Sequence, residues 1–324
     1  MSDPKPYLRD HQPGDTFTGF CVIRKRELRS RRDGAPFLAL EFGDRSGRLS
    51  GNIWDDAESL FKQFNEGDVV KLQGVVELYR DSRQIGIRKI RHAKPDDQID
   101  PAGFIPASDL SSEEAKRRLF RIIGSVRNPH LKALLDALFG DEQFLNGFLR
   151  APGGKLWHHN RLGGLAEHTL ALTRLCRLLA RLYPETDRDL LIAGALLHDI
   201  GKIEEYRYET HIDYSDRGRL VGHITIGAGW VADRTGQLPD FPYDLRDKLL
   251  HLILSHQGEH GSPVQPATRE AFLLHYADEI DSKMDALSRI AAELPEGERW
   301  KWVNLLERFI HFEPQSGDED EPKV

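Results

Sequence analysis

The stretch "DLLIAGALLHDIG" (Asp189–Gly201) is apolar nearly all round and ends in a polar doublet, His198-Asp199. A helix that is hydrophobic on every side has to be surrounded by other elements, so this segment predicts the central helix of a helical bundle, stopped at Gly201. Its last turn then carries an imidazole and a carboxylate into the core. An unpaired carboxylate buried there is costly, so a cation is expected beside it.

Other segments repeat the arrangement. From Leu165 to Tyr183, the residues Leu165, His168, Leu172, Leu175, Leu179 and Leu182 recur at steps of three and four, which puts His168 on the inward face. In "DLRDKLLHLILSH" the stripe is Leu245, Leu249, Leu252 and His256; in "TREAFLLHYADEID" it is Ala271, Leu274 and Asp278. Any one of these polar residues is most simply a hydrogen-bonded core group. Two carboxylates and several imidazoles turned into one core call for more. No arginine stands at an obvious helical offset to Asp199, although Lys202 is three residues on. A divalent metal ion satisfies both residue types at once, and helices packed about 8–10 Å apart can converge on one ion.

The whole chain sets bounds on this reading. Its 324 residues suffice for two domains. With 39% hydrophobic and 30% charged residues and no apolar run of membrane-spanning length, a membrane protein is not expected. Only two cysteines occur, Cys21 and Cys176, far apart, so neither a disulfide framework nor a zinc thiolate cluster is expected and a cytoplasmic location is. The net charge is −7, but Thr16–Lys94 holds 16 Lys plus Arg against 11 Asp plus Glu, a balance of +5, which leaves −12 for the rest. The front end is therefore the candidate surface for a polyanion.

Residues 15–94 read as five short strands with a helical piece, "DAESLFKQF", between the third and fourth, and with turns at Gly43, Gly47, Gly67 and Asp81-Ser82. That order is the order of an OB-fold, although an SH3-like barrel would look similar. Basic residues cluster at Arg24, Lys25, Arg26, Arg29, Arg31 and Arg32 and again at Arg88, Lys89, Arg91 and Lys94; Phe37, Trp54 and Tyr79 are candidate stacking platforms, with barrel core the simpler role for Phe37. A proline-containing stretch at 95–112 is expected to be a linker. Ser111 and Glu114 resemble a capping box, and helical spacing follows to about Phe312. The acidic end, 313–324, is expected to be disordered. The expected domains are thus 1–94, an all-β barrel, and 113–312, an all-α bundle.

The order His168, His198-Asp199, Asp278, with the wording "GGLAEHTL" and "LLHDIGK", resembles the HD superfamily of metal-dependent phosphohydrolases. "GHITIG" at His223 and "LILSHQGEHGSPVQPATREAFLLHYADEIDSKM" resemble more closely the YhaM-type 3′→5′ exoribonucleases, in which an OB-fold precedes an HD domain. The resemblance spans residue 15 to about 312. It implies that His168, His198, Asp199 and Asp278 hold one metal ion, that His223 and His256 extend the set to two, and that Asp199 bridges. One position departs: Gln257 stands where related chains often have a second histidine, which puts the second ion in doubt. The implied metal is Mn2+, with Fe2+, Co2+, Mg2+ and Zn2+ chemically compatible. The implied activity is hydrolysis of single-stranded RNA, and of single-stranded DNA as a further substrate, from the 3′ end by hydroxide that the metal activates.

Three catalytic assignments accompany Asp199. Lys202 is a candidate to offset phosphoryl charge, with a plain helix-terminus role as the alternative. In "WHHNRLGG" (Trp157–Gly164), His158 or His159 is a candidate to bind phosphate or protonate the leaving group, assisted by Arg161; a solvated loop is the alternative. His251, His260 and His275 are expected to be structural. Two other functions fit the same motifs: an HD phosphodiesterase for a small nucleotide, and a nucleic-acid-binding adaptor without catalysis. Assembly into a homo-oligomer is compatible with all three.

Overall fold

The computed structural model describes residues 7–79, 82–292, 294, 295 and 297–313. Strands β1 (Thr16–Ser30), β2 (Pro36–Gly43) and β3 (Arg48–Ile53), helix α1 (Ala57–Gln63), and strands β4 (Val69–Tyr79) and β5 (Ser82–His92) form a closed barrel in the order β1-β2-β3-β5-β4. This is the OB-fold order, with the helix between the third and fourth strands. Strand β1 is long enough to pair with β4 along its first half and β2 along its second, and it bends at an irregularity between Ile23 and Lys25. Closure falls where β3 meets β5 in parallel at Ser50 and Gln84. Beside that point a Cβ on Gly51 would sit 2.8 Å from the Ile85 carbonyl oxygen, so only glycine lets the strands approach. Alternation along the strands turns Phe17, Ile23, Leu38, Phe42, Leu72 and Ile85 inward.

The second unit is a bundle: α2 (Ser112–Ile123), α3 (Pro129–Phe139), α4 (Glu142–Arg150), α5 (Gly164–Leu182), α6 (Arg188–Leu197), α7 (Lys202–Glu205), then strands β6 (Tyr206–Tyr208) and β7 (Ile212–Tyr214), α8 (Asp216–Val221), α9 (His223–Gln237), α10 (Tyr243–Ser255), α11 (Gly258–Gly261) and α12 (Arg269–Ala292), followed by strands β8 (Trp300–Val303) and β9 (Arg308–His311). Helix α6 is the buried centre, with every residue from Asp189 to Leu197 inside, packed by α5, α10 and α12. Each Leu or Ile enclosed this way contributes roughly 1.5–3 kcal/mol. Asp187 caps α6 by accepting from the amides of Asp189 and Leu190. Ser111 likewise caps α2 through the Glu114 amide, while the Glu114 carboxylate turns to Arg117 and Arg118. No helix among the described residues is long and apolar enough to cross a membrane.

Three sequence expectations need correction. Helical structure does not run unbroken to Phe312: β6–β7 and β8–β9 are antiparallel hairpins, and Tyr206–Tyr208, Ile212–Tyr214 and Trp300–Trp302 alternate large apolar with polar residues. The stretch 95–112 is not a loose linker. It forms short turns, buries Phe104 and Ile105, and packs Ile105 against Tyr206 and Ile212. On α5 the buried face drifts to Thr173, Cys176 and Ala180, leaving Leu182 63% exposed. The acidic end expected at 313–324 lies outside the described residues except for Glu313.

Candidate metal centre

His198 follows α6 directly and directs Nδ1 to the Ala195 carbonyl at 2.9 Å; His256, at the end of α10, directs Nδ1 to the Ile253 carbonyl at 2.8 Å. In each ring the Nδ1–H donates, so the Nε2 lone pair is free. His168, wholly buried on α5, donates from Nδ1 to Asp281 Oδ2 at 2.7 Å, and its Nε2 lies 3.2 Å from His198 Nε2 and 3.2 Å from Asp278 Oδ1. The Asp199 carboxylate faces two ways. Its Oδ2 is 3.3 Å from His198 Nε2 and 3.7 Å from His168 Nε2, while Oδ1 is 3.4 Å from His223 Nε2 and 3.5 Å from His256 Nε2.

Three overlapping groups have ligand-type atoms within 4.8 Å of one another: His168, His198 and Asp278; His198, Asp199 and His256; and His159, His168 and Asp281. Neighbouring donors bonded to one tetrahedral or octahedral ion at about 2.0–2.2 Å stand about 3–3.6 Å apart, and the separations here have that scale. Asp199 Oδ1 is buried without a hydrogen-bond partner, and two imidazole nitrogens facing each other at 3.2 Å leave one lone pair unsatisfied unless a proton or a cation lies between. The donor set therefore fits a divalent ion.

The charges around these atoms are consistent with that. Burial opposes ionisation of Asp199, yet Lys202 and His198 hold its carboxyl well below the usual range. Burial likewise opposes charge on His168, but Asp278 and Asp281 outweigh it and lift the imidazole to about 10, so a proton occupies the ring when no metal does. Against burial, Asp278 is depressed chiefly by His168, and Asp281 by hydrogen bonds from His159 and then His168.

Around the ligand-type atoms lies a shell that the sequence reading did not find. Asp281 Oδ2 accepts from both His168 and His159, the latter at 2.9 Å, and Asp285 accepts the His159 amide at 2.6 Å. Asp278, Asp281 and Asp285 follow one another at helical steps of three and four on α12, a signal that was open to reading. Glu205 accepts from His223 Nδ1 at 2.8 Å and from its backbone amide at 3.0 Å. The Gln257 amide donates to His223 Nε2 at 3.1 Å, so His223 is engaged and stands outside all three groups.

Several assigned residues occupy different places from those expected. Lys202 does not reach into open space: its Nζ lies 2.6 Å from Asp199 Oδ2 and donates to the Gly153 carbonyl at 2.6 Å, at the start of α7 rather than a helix end. His159 is a strut of the acidic shell. Arg161 is spent on Glu167 (2.7 Å) and Asp285 (2.6 Å). His158 does adjoin the centre, 5.4 Å from His168 between ring centroids, with both ring nitrogens buried and unpartnered. Burial, with Lys202 nearby, lowers it to about 3, so the ring is neutral: one nitrogen can accept a hydrogen bond and the other can donate one, but no imidazolium is there to supply a proton. His251 Nε2 accepts from the Ala267 amide and His275 Nδ1 donates to the His256 carbonyl, both supporting backbone.

On the barrel, Arg24 is largely buried and donates to the Phe104 carbonyl at 2.7 Å, and Arg26 caps α1 through the Phe61 and Phe64 carbonyls. Neither faces a ligand. Lys25 and Arg29 are exposed but share Glu27. Arg88, Lys89 and Tyr79 are exposed. Trp54, 50% exposed, stacks on Phe37 with centroids 4.9 Å apart, and the Arg31 guanidinium lies 4.8 Å over it; Phe37 is thus at the surface, not in the core.

Comparison with known proteins gives two family matches. Residues 22–93 match the OB-fold nucleic acid binding domain and residues 165–283 the HD domain. Among solved structures, the chain is similar to the second OB-fold domain of replication protein A from Methanococcus maripaludis (18% identity, 27% of this chain, 92% of that one, TM-score 0.23). It is also similar to the mitochondrial single-stranded DNA binding protein Rim1 of S. cerevisiae (10% identity, 26% and 98%, TM-score 0.21). A third is the HD domain of the L. monocytogenes phosphodiesterase PgpH (16% identity, 49% and 77%, TM-score 0.30). At such low similarity these likenesses bear on no residue's role. The chain joins an OB-fold nucleic acid binding domain at residues 22–93 to an HD domain at residues 165–283.

Proposed function

We propose that this protein is a metal-dependent phosphodiesterase that degrades single-stranded nucleic acid, RNA first, from the 3′ end. The observation that carries the reading is a pair of adjoining buried groups that share His198, one with His168 and Asp278 and one with Asp199 and His256, with Asp199 Oδ1 left without a partner. A divalent ion, Mn2+ by resemblance, supplies Lewis acidity there: it lowers the pKa of water and offsets phosphoryl charge. His168, His198, Asp199 and Asp278 are the residues to hold it, and His223, His256 and Asp199 those for a second ion that Gln257 weakens.

The chain's own groups do the remaining work. Asp281 and Glu205 orient the His168 and His223 rings. Lys202 neutralises one Asp199 oxygen and fixes the carboxylate's angle. His158, neutral and with free ring nitrogens beside His168, accepts a hydrogen bond from water or a substrate hydroxyl. The Trp54–Phe37 stack offers a base a flat surface, worth about 1–3 kcal/mol per base stacked. The 3′ polarity rests on the resemblance to the YhaM-type enzymes. An oligoribonucleotide labelled at its 5′ end, incubated with Mn2+, is expected to give a ladder shortened stepwise from the 3′ end. Internal cuts, or mononucleotide released first from the labelled end, would contradict the proposal.

A further inference from the structure

The loop between α4 and α5 brings His158 beside the candidate centre, and α12 holds it there. Both peptide groups that flank His158 are anchored on that helix. Arg289 donates to the Trp157 carbonyl at 3.0 Å and to the Leu156 carbonyl at 3.2 Å, and Asp285 Oδ2 accepts the His159 amide at 2.6 Å. The other Asp285 oxygen accepts from Arg161 at 2.6 Å, and Asp281 accepts from the His159 ring at 2.9 Å. Asp281, Asp285 and Arg289 succeed one another at steps of four, so they form one ridge along the helix that also carries Asp278.

The backbone held in this way is strained. His159 has φ 44°, in the left-handed region that costs a residue with a side chain free energy and persists only where the surroundings fix it. The ring between the two anchored peptides is also unlike its neighbours. His158 is buried beside His168, and neither of its ring nitrogens has a hydrogen-bond partner, whereas His159 and Arg161 are both bonded to carboxylates. A buried imidazole with donor and acceptor both unmatched is costly, and a neutral ring offers one of each to a group arriving at the centre. A phosphodiester and its attacking water bring the complements: phosphoryl oxygens accept and the water donates. Strain, two anchors and an unmatched ring at one place point to a side chain held ready for a ligand.

We infer that Arg289 and Asp285 are positioning residues: by fixing the peptide groups on either side of His158, they hold its ring in reach of the scissile phosphate. The inference rests on the proposed function, and its test separates the two. Arg289→Met removes the donors and keeps the stem. In metal-free protein, hydrogen exchange read by mass spectrometry should quicken about tenfold or more in peptides covering 156–161 and stay unchanged in α6. With Mn2+ and a 5′-labelled oligoribonucleotide, kcat is expected to fall about tenfold or more, with KM and Mn2+ affinity little changed. Arg289→Lys, which keeps a donor, should recover part of the loss. In a His158→Ala background, Arg289→Met should cost nothing further, and Asp285→Asn should behave in the same way. Equal losses with and without the His158 ring would make the clamp a plain structural anchor and overturn the inference. Undiminished kcat in His158→Ala, or in Arg289→Met, would overturn it too and leave the proposed function standing. A wild-type protein that hydrolyses no oligoribonucleotide with Mn2+ would sink both.

Discussion

Asp281 is grouped with His159 and His168 rather than with Asp199, and it decides how those two rings stand. One oxygen accepts from His168 and His159 together, so His168 has to present Nε2 to Asp278 and His198. Replacing it by asparagine removes the charge and keeps the shape. Asp281→Asn is expected to weaken Mn2+ binding about 10–100-fold by calorimetry, with the helical circular dichroism intact; undiminished affinity would mean that the ring is oriented by packing alone. His168 also gives a pH dependence. Its ionisation is raised to about 10, so its charged contribution to metal-free stability is complete below the ordinary imidazole range and disappears as pH climbs through about 10. Asp199, Asp278 and Asp281 are lowered, so theirs is complete above the ordinary carboxylate range and lost only as pH falls through the depressed values. An incoming ion must expel the His168 proton. Mn2+ affinity should therefore rise from pH 7 to 9 with release of about one proton, measured by calorimetry in buffers of different ionisation enthalpy. The inward placement of His168, His198, His256 and Asp278 was legible in the sequence because each interrupts or ends an apolar helical run. The engagement of Glu205 and Gln257 with His223 was not, since it depends on where separate helices meet.

At the scale of elements, the turn after α6 explains how His223 comes so near Asp199. A Cβ on Gly201 would lie 2.0 Å from the His223 carbonyl oxygen and 2.8 Å from the Gly227 amide nitrogen, both backbone atoms that cannot swing away. Gly201→Ala should force α7 from α9 and cost about 1–3 kcal/mol in denaturant unfolding. Gly229 lies on the same α9 with open space around it, so Gly229→Ala should leave stability unchanged or raise it by up to about 1 kcal/mol. Equal effects at the two sites would contradict the close-packing account. The barrel strands and α5, α6, α10 and α12 were readable from periodicity. The two hairpins were passed over because each strand is only three or four residues, too short for alternation to stand out against the surrounding helical spacing.

Across the whole molecule the barrel and the bundle meet at several points: Arg24 to the Phe104 carbonyl, Thr210 to the Gly67 carbonyl at 3.0 Å, and Arg9 to the Ala292 carbonyl. The sequence marked two units but gave no sign of these contacts, because residues such as Arg24 read as surface charge until a neighbouring carbonyl is placed beside them. The same holds for the basic clusters, of which Arg24 and Arg26 turn out to be structural while Arg88 and Lys89 remain exposed. In the proposed function the two units are united by an ion that the bundle would hold and that would act on a strand gripped by the barrel. Elemental analysis of protein loaded with Mn2+ and desalted tests this most directly, set against His198→Ala with Asp199→Ala. The wild type should retain at least one equivalent of metal and the folded double variant none; a wild type that retains no ion, or a double variant that retains as much, would contradict the account.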